Sequence, residues 1–133
     1  MRHPERWGAA LALLAPLALV GCAPEPTVCP DIGWFNKLIV EVPEGVADVT
    51  VCEPADCDDP DAALQPYPSP DPDAENQWLF TTGMTSPAEL RIEVRDAHGT
   101  VIARKDVSAA WERIGGAEQC GGPGEAKVTI TAP

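Results

Sequence analysis

The segment Glu89–Arg95 restricts the fold of this chain more than any other, because apolar and charged residues alternate along it without interruption. Its apolar residues are Leu90, Ile92 and Val94. A period of two predicts a β-strand with one buried face and one face in water. Asp96–Gly99 follows as a hairpin connection, since Gly99 can adopt the positive φ that such turns require. Thr100–Val107 is then the returning strand.

The same alternation recurs in four other places. Trp34–Val42 and Val46–Cys52 flank a Pro-Glu-Gly turn, and we expect them to pair as a hairpin. Gln77–Thr82 and Glu125–Thr131 are predicted as further strands. Ser108–Ile114 fits either a capped helical turn or a strand. Six or seven short strands separated by turn residues predict an all-β fold, namely a small antiparallel β-sandwich.

This pattern loosely resembles the immunoglobulin-like and transthyretin-like sandwiches of bacterial surface proteins. The resemblance covers the architecture of residues 29–133. It implies nothing about activity, because such sandwiches serve many unrelated functions.

The first 21 residues have the features of an export signal. Met1–Arg6 is basic, and Trp7–Val20 is a run of fourteen uncharged residues interrupted by Pro16. A membrane-spanning helix needs about twenty apolar residues, so this run is too short and fits the apolar region of a signal peptide.

The uncharged run ends in Leu19-Val20-Gly21-Cys22. This tetrapeptide resembles the lipobox of bacterial lipoproteins, and the Ala-, Pro- and Arg-rich composition is similar to that of actinobacterial members. The resemblance implies cleavage before Cys22 and a diacylglyceryl group on its thiol. The alternative is an ordinary secretory peptide cut near Ala18 or Ala23, with Cys22 incidental.

Cleavage before Cys22 would leave a short tether at 22–28 and a strongly acidic body. The tether spans about 25 Å at most. Loss of Arg2, Arg6 and Glu5 leaves seven basic and twenty acidic residues, which gives a formal charge of −13. Such a charge opposes binding to nucleic acid and repels anionic lipid. We therefore expect lipid on Cys22 to hold the protein at the membrane, with the body kept away from the headgroups.

The remaining cysteines are even in number, which in a small exported domain predicts two disulfides rather than a zinc site. They are Cys29, Cys52, Cys57 and Cys120. Four cysteines allow three connectivities. In many sandwiches of the kind resembled here, the first and last strands run parallel as neighbours. That resemblance implies a Cys29–Cys120 bridge, with Cys52–Cys57 closing a local loop.

Residues 53–76 form a long acidic loop with six prolines and no aliphatic periodicity. Its carboxylates could bind Ca²⁺, namely Asp56, Asp58, Asp59 and Asp61, with Asp71, Asp73 and Glu75 later in the loop. The loop lacks the spacing and the turn glycine of an EF-hand, so a solvated acidic loop is the favoured interpretation.

Other candidate residues have ordinary structural explanations. Trp34, Trp78 and Trp111 are expected to fill the core rather than to form a ligand platform. His98, at a predicted hairpin tip, lacks the partners of a catalytic base. The glycines at 115–116 and 121–124 lead into a strand, which makes them a connection and not a phosphate-binding loop.

The sequence therefore predicts a lipid-anchored, extracytoplasmic lipoprotein of the bacterial envelope. Its sandwich would act as a non-enzymatic interaction or structural module, with an envelope protein as the possible partner and no cofactor. The alternative is a binder of a small ligand or Ca²⁺ that uses the acidic loop and Trp78.

Overall fold

The computed structural model describes Gly21, residues 28–68 and residues 74–131. This part of the chain forms eight strands, which are β1 (Lys37–Glu41), β2 (Asp48–Cys52), β3 (Pro66–Tyr67), β4 (Gln77–Thr81), β5 (Glu89–Arg95), β6 (Val101–Ser108), β7 (Glu112–Arg113) and β8 (Gly124–Thr129). One sheet has the order β3-β4-β1-β8-β7, and the other has the order β2-β5-β6. The predicted all-β, two-sheet architecture is confirmed. The strand count exceeds the expected six or seven because β3 and β7 are two-residue additions to the sheet edges.

Strand β1 lies at the centre of the larger sheet. It pairs antiparallel with β4 and parallel with β8, so the first and last long strands are parallel neighbours as expected. The predicted β1–β2 hairpin is wrong, since β2 pairs with β5 in the other sheet. Alternation shows that each strand has an apolar face, but it does not distinguish pairing edge to edge from packing face to face.

The core lies between the two sheets and is made by the inward residues of the long strands. Its members are Leu38, Val40, Val42, Val49, Val51, Phe80, Leu90, Ile92, Val94, Ala126, Val128 and Ile130. These are the apolar positions of the alternating segments. The period-two pattern therefore determined which side of each strand is buried.

The β5–β6 hairpin forms as predicted. The Asp96 carboxylate accepts hydrogen bonds from the backbone N–H groups of His98 and Thr100, both at 2.9 Å. Gly99 has a φ of 79°, in the left-handed region that favours glycine. The connection is thus fixed by one side chain and one glycine.

Two segments are more ordered than the sequence indicated. Within the acidic loop, Pro60–Ala62 forms a single 3-10 turn capped by Asp59, and the Leu64 N–H donates to the Val51 carbonyl at 2.8 Å. The segment after β6 contains no helical turn. It crosses to the larger sheet and forms β7, which agrees with the strand alternative for Ser108–Ile114.

Asn36 joins three segments where β1 begins. Its side-chain nitrogen donates to the Thr85 carbonyl at 2.7 Å and to the Ser86 hydroxyl at 2.9 Å. Its side-chain oxygen accepts from the Gly124 N–H at 2.7 Å. The residue is only 3% exposed. A buried amide with both ends satisfied holds the β4–β5 connection and the start of β8 against β1.

The two disulfides have the pairing that the sandwich resemblance implied. The sulfurs are 2.05 Å apart in Cys29–Cys120 and 1.99 Å apart in Cys52–Cys57. The first joins the segments that precede β1 and β8, across 91 residues of sequence. The second closes a local loop after β2, with a separation of five. The long-range bridge excludes many more conformations of the unfolded chain.

We therefore predict unequal effects when each bridge is replaced by a serine pair. Loss of Cys29–Cys120 should lower the free energy of unfolding by about 4–5 kcal/mol, and loss of Cys52–Cys57 by about 2 kcal/mol, because loop-closure entropy grows with loop length. Urea titration of the two double variants measures both values and makes each the control for the other. Equal losses would contradict this account.

Strand β6 is an edge of the smaller sheet, and its outer side has no neighbouring strand within the described residues. Lys105 lies opposite Ile92 in the β5–β6 register, so it points to the core side of the sheet. Its ammonium group reaches the Thr131 hydroxyl at 3.3 Å. A charge on the inward side of an edge strand is a known protection against edge-to-edge pairing.

Replacing Lys105 with Val should remove that protection. In a Cys22→Ser background, we expect Lys105→Val to self-associate, because an apolar inward residue lets a second copy extend the sheet. Sedimentation velocity gives the oligomeric state. Lys105→Glu is the matched control and should remain monomeric. Identical sedimentation of the Val and Glu variants would show that the charge does not prevent edge-to-edge pairing of two copies.

Candidate functional site

The residues singled out in the sequence do not converge on one site. Cys22 lies outside the described residues. In the acidic loop, the Asp59 carboxylate accepts a hydrogen bond from the Asp61 N–H at 2.9 Å, which is a local cap. Within residues 28–68 and 74–131, no group of three or more His, Cys, Asp or Glu side chains is placed to hold a metal ion. Asp71 and Asp73 lie outside that range.

The three tryptophans occupy separate structural positions. Trp78 and Trp111 are partly buried against the core. The Trp111 indole N–H donates to the Pro87 carbonyl at 2.9 Å. The ring of Trp34 lies 3.0 Å from the place that a Cβ of Gly121 would occupy, so the glycine connection makes room for this ring. Trp78 and Trp111 thus pack against the core as expected, whereas Trp34 is not among the core residues or those packed against them and instead lies against the glycine connection.

A charged cavity of about 330 Å³ lies on the outer face of the smaller sheet. We call it the arginine pocket, and it is lined by Thr50, Cys52, Cys57, Asp58, Arg91, Glu93, Arg95 and Arg104. The alternation of β5 and β6 places its arginines on the wet face. The Cys52–Cys57 loop forms one wall.

Glu93 is the centre of the arginine pocket. Arg104 lies directly opposite it in the β5–β6 register and donates Nε to the carboxylate at 2.6 Å. Arg95 binds the other carboxylate oxygen. Burial by itself would raise the pKa of Glu93, but the hydrogen bonds from Arg104 and Arg95 outweigh it and hold the pKa below its usual 4.5.

The third arginine of the pocket is also paired. Arg91 donates Nε and one terminal nitrogen to the two oxygens of Asp106, at 2.6 and 3.0 Å. This forked contact lowers the pKa of Asp106. With Glu93, Asp106 and Asp58 beside three arginines, the pocket is close to electrically neutral. Its geometry is that of ion pairs between and within strands and not of an anion site that needs a ligand.

A second cavity, of about 370 Å³, opens on the outer face of the larger sheet. It is mostly apolar and is lined by Phe35, Asn36, Lys37, Tyr67 and Thr81. Partial burial raises the pKa of Tyr67. Strand β3 brings Tyr67 here because it pairs with β4 at the sheet edge.

Exposed apolar side chains collect at the end of the sandwich where β1 and β8 begin. We call this surface the apolar end, and it comprises Val28, Ile32, Phe35, Met84 and Ile114. Phe35 joins it to the apolar cavity. The seventh exposed large apolar side chain of the described residues, after these five and Tyr67, is Val101, which follows the β5–β6 turn at the opposite end.

Sequence reasoning missed both surfaces for different reasons. The Glu93–Arg104 pair was missed because it depends on a register shift between Val94 and Arg95, whereas the predicted hairpin without that shift places Glu93 opposite Ile102. No sequence pattern indicated that Phe35 and Tyr67 line the same cavity, since the two-residue strand β3 lies in a segment without periodicity. Asn36 was overlooked because a single asparagine before a strand is common at the surface.

Replacement of Glu93 should reveal the arginine pocket as a pH-dependent contribution to stability. A carboxylate whose folded pKa is lowered stabilises the fold above its unfolded pKa, and this stability is lost as the pH falls through the folded pKa. We expect Glu93→Gln to lose about 1–2 kcal/mol at neutral pH, since two guanidinium groups lose their partner. The deficit should shrink below pH 4.5.

Urea unfolding between neutral pH and about pH 3 measures this difference. Asp106→Asn is the control, because the Asp106 side chain is 53% exposed whereas that of Glu93 is 13% exposed, so its loss should be smaller. A Glu93→Gln variant as stable as the parent at neutral pH would refute the claim that the ion pairs of Glu93 stabilise the fold.

No protein-family model, curated protein or solved structure matches this chain. In the described part of the chain, no helix is long and apolar enough to cross a membrane.

Proposed function

We propose that this chain is a lipoprotein of the bacterial cell envelope. Lipid on Cys22 holds it on the extracytoplasmic face of a membrane, and the sandwich serves there as a non-enzymatic interaction or structural module. The observation that carries the proposal is the position of Leu19-Val20-Gly21-Cys22 at the end of a basic and then uncharged leader. A diacylglyceryl group supplies two acyl chains, which hold a protein stably, whereas one chain binds reversibly.

The disulfides support export. Structural disulfides persist in oxidising compartments and are rare in the bacterial cytosol. This domain places all four cysteines after Cys22 in two bridges, one of which spans most of the folded body. Cys22 is the fifth cysteine of the sequence and is not needed for either bridge, as a lipidation site requires.

The surfaces of the sandwich favour interaction over chemistry. The arginine pocket is explained by ion pairs that stabilise the smaller sheet. The apolar end exposes several large side chains together, and contiguous exposed apolar surface generally marks a contact with another molecule or with a membrane. The body's formal charge of −13 makes nucleic acid an unfavourable partner.

Cys22→Ser tests the proposal. The variant should still form both disulfides but should incorporate no lipid label and should leave the membrane fraction, because the thiol that accepts diacylglyceryl is gone. Metabolic labelling with a radioactive fatty acid and cell fractionation give the two readouts. Ala23→Ser is the matched control and should behave as the parent. Lipid incorporation by Cys22→Ser would end the proposal.

A further inference from the structure

We infer that the apolar end is a membrane-contact surface, which lies in the interface of the same bilayer that holds the anchor. The body would then rest on the membrane by one defined end instead of moving freely on its tether. This inference rests on the proposed function, since it takes the lipid on Cys22 as the anchor.

The exposure of the apolar end is large and local. Val28, Ile32 and Phe35 are 87%, 71% and 74% exposed, and they belong to one short segment before β1. Met84 lies beside this segment, with its sulfur 3.7 Å from the position of a Cβ on Gly33. Side chains of this size gain free energy when they leave water, and four of the five lie on or beside this one segment.

The fold fixes the apolar end in one place. The Asn36 N–H donates to the Gly83 carbonyl at 2.7 Å, and the Asn36 side chain binds Gly124. These bonds join the start of β1, the end of β4 and the start of β8. The Ile114 N–H donates to the Pro123 carbonyl at 2.8 Å, which brings Ile114 to the same end. The apolar residues are therefore presented together by a rigid part of the sandwich.

The short tether makes the bilayer the expected occupant of this surface. It ends at Val28, which is itself part of the apolar end, and the Cys29–Cys120 bridge fixes the next residue to the body. Cys22 to Val28 spans about 25 Å at most. An anchor in the membrane thus keeps the apolar end within a short distance of the interface. Tethering of this kind raises the effective concentration of the membrane at this surface, so that even a weak contact is populated.

The charges decide which lipid favours the contact. Asp31 is the single ionisable residue among residues 28–36. Lys37 is neutralised by Glu125 at 2.6 Å. The body as a whole is strongly acidic, so anionic headgroups would repel it. The expected separation of the body from the headgroups applies to anionic lipids. A neutral interface can take up the apolar end through burial of apolar area alone.

The test is photolabelling of the lipidated full-length product in phosphatidylcholine vesicles that contain a phosphatidylcholine with a diazirine on its acyl chain. Peptide mapping after irradiation locates the adducts. We expect adducts in residues 28–36 and at Met84, with none around Val101. Adding phosphatidylglycerol should not increase the yield.

Ile32→Asp combined with Phe35→Asp should lower the adduct yield at this end by about tenfold or more. Val101→Asp is the control, because Val101 is exposed and apolar but lies at the opposite end. Intact disulfides in each variant confirm that the body is folded.

Three outcomes overturn the inference. Lipid on Cys22 together with adducts spread evenly, or with none in the body, would show that the body stands off while the proposed function survives. Self-association of the lipidated protein that is lost in the Ile32→Asp/Phe35→Asp variant, together with no lipid adducts at this end, would assign the surface to a second copy. A chain without lipid on Cys22 would remove the proposed function, and this inference with it.

Discussion

The sandwich depends on one junction, where Asn36 and the Cys29–Cys120 bridge hold the beginnings of β1 and β8 side by side. A parallel pair cannot be made by a tight turn, so strands far apart in sequence must be brought together by other contacts. The disulfide closes the long loop between them, and the buried amide of Asn36 satisfies the Gly124 N–H at the same place. Because Asn36 also binds Thr85 and Ser86, the junction fixes the start of β5 as well. The central strand of one sheet and the central strand of the other are thus positioned from a single end.

The two sheets differ in what their outer faces carry. The smaller sheet has only three strands, and two Arg–carboxylate pairs join β5 to β6 on its outer face, with Glu93 also bound by Arg95 of its own strand. Its β6 edge has a lysine on the inward side, which disfavours pairing with another chain. The larger sheet carries the junction, the apolar cavity and the segment that leads to Cys22. If the chain is anchored as proposed, the sheet that is joined to the tether is also the one with apolar side chains to place against a membrane.

Local pattern predicted most of the elements, while the long-range arrangement needed other information. The alternation in β5 gave its bounds and its buried face, and Gly99 gave the turn that follows. Alternation could not tell that β1 and β2 face each other across the core, because both arrangements bury Val40 and Val51. Phe35 and Tyr67 line one cavity because β3 pairs with β4, and the proline-rich sequence of β3 gives no strand signal. The Cys29–Cys120 pairing followed from the resemblance to known sandwiches and not from the spacing of the cysteines.

The central claim is that one chain combines a lipid anchor at Cys22 with a body closed by two disulfides. Intact-mass spectrometry of the protein extracted from its own membranes tests both parts at once. The account predicts an N-terminus at Cys22 that carries a diacylglyceryl group, and a mass reduced by four hydrogens for the two bridges. An unmodified N-terminus at any other residue, or four free thiols, would contradict it.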